Sequence, residues 1–153
     1  MQEKEIMLLS RFRENSRTSL TKLSRLTKIP VSTLFDKIKE YEKTRLIKKH
    51  TALLDFKRLG YSIRTQILIT AKKDRKKETH KFLLRSPKIN TVFRINNGYD
   101  YLIEAIFKDL EELDEFNRKL EEHEPQEKKE FFVMEDIKRE EFLSHKENLG
   151  VQR

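Results

Sequence analysis

Four residues within six positions, Ser32, Thr33, Asp36 and Lys37, have side chains able to meet the edges of nucleic-acid bases. The hydroxyls can donate or accept, the carboxylate can accept from the N4 amino group of cytosine, and the ammonium can donate to guanine. Arg17, Lys22, Lys28, Lys39, Lys48 and Lys49 surround them in sequence and suit phosphate oxygens. Charge is partitioned accordingly. The first 60 residues hold 15 Lys/Arg against 7 Asp/Glu, whereas the remainder holds 19 against 19. The whole net charge of +8 therefore belongs to the first part of the chain, which implies that this part meets a polyanion and the rest does something else. A second cluster, Asn97-Gly98-Tyr99-Asp100, joins a turn-forming dipeptide to a carboxylate.

Other chemistries lack their parts. With no cysteine there can be no disulfide, thiolate metal site or cysteine nucleophile, and a cytoplasmic location is expected. His50, His80, His123 and His145 show no ligand spacing, and three glycines form no phosphate-cradling loop. Glu111, Glu112, Asp114, Glu115, Glu121 and Glu122 read as a solvated helix face rather than a tuned carboxylate pair. Neither an enzyme nor a metal or cofactor protein is expected. The start Met1-Gln2-Glu3-Lys4-Glu5 lacks a signal-peptide pattern, and no stretch of about 18 apolar residues exists, so no membrane partner is expected. Abundant Lys and Glu without Cys fit a heat-adapted, archaeal-like source.

The elements that must position these residues follow from periodicity. Ile6, Leu8, Leu9 and Phe12 predict a helix over 3–14, and Leu20, Leu23 and Leu26 a second, capped by Thr18 or Ser19. Pro30 ends the linker and can open a third helix, with Val31, Leu34, Ile38 and Tyr41 inward and Ser32, Thr33, Asp36, Lys37, Lys39 and Glu40 outward. Three short helices with a four-residue break before the last make a helix-turn-helix pattern. Residues 46–55 predict a β-hairpin wing, and Gly60 a hinge.

After Gly60 the period changes to alternation. The order is strand 61–69, helix 74–86, strands 88–96 and 99–107 across Asn97-Gly98, helix 109–122 and a strand from Glu130 to Ile137. This β-α-β-β-α-β order is ferredoxin-like. Tyr99, Tyr101, Ile103, Ala105 and Phe107 are expected beneath the helices. Arg64, Gln66, Leu68, Val92, Arg94, Leu102, Glu104, Ile106, Phe132, Met134 and Asp136 are expected on the opposite face, a mixture suited to meeting another copy of the chain.

Taken together, the run Pro30–Glu42, then Leu46–Asp55 and Leu59-Gly60-Tyr61, resembles the Lrp/AsnC family, the feast/famine regulators. Asn97-Gly98-Tyr99-Asp100-Tyr101-Leu102 followed by Asp109–Phe116 is similar to that family's C-terminal domain. The likeness covers about residues 3–143. It departs from the family where Lys28 and Arg45 stand for the usual glycines and Pro30 for a serine. The resemblance implies an α+β chain with a winged helix-turn-helix over 1–57, a ferredoxin-like βαββαβ domain of the RAM type over 58–143, and a tail over 144–153. It also implies a transcriptional regulator that binds double-stranded DNA and pairs with itself as a homodimer or larger ring. A small effector, commonly an amino acid, would bind near Asn97, Gly98, Tyr99 and Asp100, with Asp100 as acceptor for its ammonium. An alternative uses the ferredoxin-like domain as an RNA-recognition module; that needs stacking aromatics on the open sheet face, and Tyr99 and Tyr101 are expected on the other.

Overall fold

Spacing of three and four between apolar residues sets the first three helices, α1 (Glu3–Glu14), α2 (Leu20–Thr27) and α3 (Val31–Lys43), in a computed structural model that describes residues 3–144. The Ser19 hydroxyl caps α2 by accepting from the Lys22 backbone N–H at 3.2 Å. Lys28 ends it in the left-handed region, φ 58°, its N–H donating to the Ser24 carbonyl at 2.9 Å. Arg45, just beyond α3, has φ 59°. These are the two positions where glycine is usual in the proteins the chain resembles, and a side chain there costs about 1 kcal/mol of backbone strain. Pro30 stands at the entry of α3, where no N–H is needed. Leu8, Leu23, Ile29, Leu34 and Tyr41 close a core among the three helices.

The hairpin expected over 46–55 is not formed: these residues run without ladder hydrogen bonds. The segment contains no Gly, Asn or Pro to reverse the chain, so a tight turn has no residue to build on. It is tied down otherwise. The Ile47 N–H donates to the Tyr41 carbonyl at 3.0 Å, and the His50 ring meets Glu42 at 2.8 Å and the edge of Phe12. Asp55 then accepts from the N–H groups of Lys57 and Arg58 to start a 3₁₀ turn, which Gly60 ends at φ 87°.

Two compact units result. Among the described residues, one takes 3–53 together with 137–144, and the other is Leu54–Asp136. In the first, Arg13 holds the returning segment by donating to the Phe142 carbonyl and the Glu140 carboxylate, at 2.5 and 2.8 Å. Residues 137–143 thus group with the helical unit rather than with the ferredoxin-like domain. The expected tail lies, beyond Ser144, outside the described residues.

The second unit holds β1 (Ile63–Thr70), α4 (Lys76–Arg85), β2 (Ile89–Arg94), β3 (Tyr101–Phe107), α5 (Leu110–Glu121) and β4 (Glu127–Phe132). Its antiparallel sheet has the order β2-β3-β1-β4. Alternation puts Ile67 and Ile69 of β1 and Tyr101, Ile103, Ala105 and Phe107 of β3 beneath the helices, against Leu83, Leu113, Phe116 and Leu120. Tyr101 is therefore covered, as stacking on an open face would forbid.

Two face assignments differ from expectation. Val92 and Arg94 lie opposite Ile103 and Tyr101, on the helix side, while Thr91 and Phe93 face outward with Glu104 and Leu102. The cause is a bulge between Ile89 and Thr91, which inverts the phase of β2 midway. The last strand begins at Glu127, three residues earlier than expected and two after Pro125, and stops at Phe132. Phe131 faces outward opposite Gln66 and Phe132 pairs with Thr65, while Met134 and Asp136 follow the strand. Asp136 still reaches Arg64 on the outer face, at 2.7 Å. No helix among the described residues is long and apolar enough to cross a membrane, and no group of three or more of their His, Asp and Glu side chains could hold a metal.

Candidate functional site

Helix α3 presents what its buried stripe leaves over. With Leu34 and Tyr41 inward, the 100° advance per residue turns Ser32, Asp36, Lys39 and Lys43 outward, and all four are exposed. Thr33 is exposed on one flank. Arg17, Lys22, Lys28, Lys48 and Lys49 are exposed as well, so nine of the ten residues expected to meet nucleic acid are accessible.

Lys37 is the exception. It lies three residues after Leu34 and four before Tyr41, on the edge of the inward stripe, and its ammonium donates to Glu5 of α1 at 2.5 Å with only 28% of the side chain exposed. The hydrogen bond to Glu5 raises its pKa above the ordinary lysine value, against the opposing effect of burial. In this arrangement Lys37 joins α1 to α3 rather than reaching outward. Sequence reasoning also misplaced Val31, which is 43% exposed, and left out Phe35, which is 47% exposed with the Lys39 ammonium 4.3 Å from its ring centroid. The signal was present in the spacing, since 31, 35 and 39 follow one another at four-residue intervals along the helix surface.

In the second unit the four turn residues are brought together. Asn97 and Gly98 both have positive φ, 65° and 94°, as the turn requires. The Gly98 carbonyl accepts from the Thr70 hydroxyl at 2.7 Å, and the Tyr99 hydroxyl donates to Glu127 at 2.6 Å. Asp100 is engaged by its own chain: one carboxylate oxygen accepts from the Ala71 N–H at 2.9 Å, the other from the Lys76 ammonium at 2.7 Å. Burial pushes its pKa up, but Lys76, the Ala71 N–H and the nearby Arg94 outweigh that and hold it below the ordinary aspartate value. A cation thus already stands where the ammonium of an effector was expected.

The family model for the Lrp/AsnC ligand binding domain matches residues 65–142, just over half of the chain. The chain belongs to the Lrp/AsnC family. Among curated relatives, this Lrp/AsnC chain is similar to the HTH-type transcriptional regulators FL11 of Pyrococcus furiosus, 31% identical over 103 residues (67% of this chain and 68% of the relative), and of Pyrococcus horikoshii, 30% identical over 102 residues (67% and 68%). Its fold is shared with a Neisseria meningitidis transcriptional regulator solved as its L-Met complex, at TM-score 0.83 and 22% identity, covering 91% of this chain and 93% of that one. Bacillus subtilis LrpC gives TM-score 0.78 at 20% identity, covering 90% and 96%. The protein is thus a transcriptional regulator of the Lrp/AsnC type, with a helix-turn-helix and a ferredoxin-like ligand-binding domain.

Because the folded pKa of Asp100 is depressed, its contribution to stability is full above the unfolded value of about 3.9 and is lost as pH falls through the lower folded value. Asp100→Asn should cost about 1 kcal/mol near neutral pH, an amount limited by the solvent around Lys76. Thermal melts of both proteins should converge as pH drops below about 4; a gap that stays constant into stronger acid would show that Asp100 is not held as its anion.

Proposed function

We propose that this Lrp/AsnC regulator binds double-stranded DNA in the cytoplasm in a sequence-dependent manner, with α3 lying in the major groove. The observation that carries the proposal is the outward side of α3. Ser32, Asp36 and Lys39 are exposed there together with Thr33 on the flank, inside a unit whose sequence holds the chain's entire positive excess. Lys22, Lys28, Lys48 and Lys49 and the Arg17 guanidinium act on phosphates and fix the register.

Five or more neutralised phosphates release counterions, so affinity should fall by about two to three orders of magnitude between roughly 50 and 200 mM salt. Replacing Lys48 and Lys49 with alanine should weaken binding to every duplex alike and reduce the salt slope by about two, whereas Ser32→Ala should relax sequence preference. Gel shifts across a salt series measure both. Tighter binding to single-stranded RNA than to any duplex would overturn the proposal in favour of an RNA-recognition role.

The proposal extends to assembly and effector. Phe93 and Phe131, each more than half exposed, flank Leu68, Leu102 and Ile106 on the outer sheet face, with the Arg64–Glu104 pair in the middle. A second copy covering this face forms a homodimer, or a higher ring, that presents two α3 helices to half-sites about one helical turn or a multiple of it apart. The relative solved with L-Met suggests an amino-acid-like effector held between subunits near Asn97–Asp100, which would compete with Lys76 for Asp100. Such a ligand alters DNA affinity only by favouring one assembly over another.

Light scattering should report a dimer or larger at micromolar concentration, and Phe93→Asp should shift it toward monomer with a loss of DNA affinity. Thermal-shift screening with free amino acids, L-Met included, should find a stabilising ligand for the native chain and none for Phe93→Asp. A monomeric native chain would contradict the assembly, and an equal shift in both proteins would contradict an effector held between subunits.

A further inference from the structure

Val31 and Phe35 are four residues apart on the surface of α3, and neither belongs to the core that the three helices close. Both are large apolar side chains, 43% and 47% exposed, on a helix whose other exposed residues carry hydroxyls or charges. A lone exposed apolar residue needs no explanation, but an adjacent pair on an otherwise polar and charged helical surface does. The Phe35 ring is also restrained, because the Lys39 ammonium sits 4.3 Å from its centroid. Lys39 can reach a phosphate while keeping one face of the ring covered, which leaves the ring edge as the apolar contact that α3 offers beside Ser32 and Asp36.

The major groove contains one apolar group that would match it, the 5-methyl of thymine, which protrudes beside the O4 acceptor. We infer that Phe35, with Val31 beside it, contacts a thymine methyl and sets a preference for thymine that no polar residue of α3 supplies. The inference rests on the placement of α3 in the major groove. With Lys37 held by Glu5, it also shifts discrimination from the expected lysine–guanine contact to a hydrophobic one.

The test removes only the methyl. A binding site is first selected from random duplexes with the full chain, and each thymine in it is then replaced singly by deoxyuridine, which keeps base pairing and every groove acceptor. At one or more positions per half-site the native chain should bind about fourfold more weakly, the equivalent of one methyl-sized group left unburied. Phe35→Ala should bind thymine and uracil duplexes equally at those positions, with an unchanged salt slope, and Phe35→Leu should retain part of the difference. Equal affinity of the native chain for all thymine and uracil duplexes, or a Phe35→Ala variant that still discriminates between them, overturns the inference alone. A chain that binds no duplex overturns the groove placement and the inference with it.

Discussion

Burial of Leu34 and Tyr41 against Leu8 and Leu23 decides which side of α3 the protein shows to its surroundings. A helix has one rotational setting that hides those side chains, and that setting turns Ser32, Asp36 and Lys39 outward, sets Val31 and Phe35 at the flank and draws Lys37 back to Glu5. The Lys37–Glu5 pair then fixes α1 to α3 at the edge of the core, where each side chain is only about a quarter exposed. A cation that looks like a base contact in the sequence thus helps to orient the helix whose outward residues are exposed. Truncating a residue beneath α3 would disturb its outward face indirectly, because that face is oriented by the core under it together with the Lys37–Glu5 pair.

The second unit solves a different problem. Its sheet is covered by helices on one side, and the other side carries apolar residues around a buried charge. Glu104 is 5% exposed and accepts from Arg64, from Thr91 and from Asn90 at the bulge of β2. A carboxylate buried this far must be paired, and Arg64 in turn spans to Asp136. Such a fixed polar centre within an apolar surface suits pairing in one register, since any other would set an ion pair against Leu68, Leu102 or Phe93. The bulge therefore has a purpose in this account: it places the Asn90 amide against Glu104 and turns Phe93 outward.

The type and order of nearly every element were legible in the sequence because each depends on a local period. The stop at Pro30, the positive-φ pair Asn97-Gly98 and the cap at Ser19 have local causes too. What escaped was phase. A single extra residue in β2 reversed Val92 and Arg94, and the pairing register of β4 reversed Phe132; neither leaves a mark in an alternating pattern. The wing expected over 46–55 has no Gly, Asn or Pro with which to reverse the chain. Asp100 was rightly seen as a carboxylate near the turn, but its engagement by Lys76, 24 residues earlier, is a tertiary fact. Phe35 was overlooked because an aromatic on a helix is normally core.

The central claim is that the outward side of α3 enters the major groove. The chain has no cysteine, so Ser32→Cys offers a unique attachment point for an iron–chelate reagent that cuts nearby DNA strands. The account predicts scission of a selected duplex centred on the major groove of each half-site. Intact DNA with the reagent on residue 32, together with cutting when it is placed instead at Glu115→Cys on α5, would contradict it.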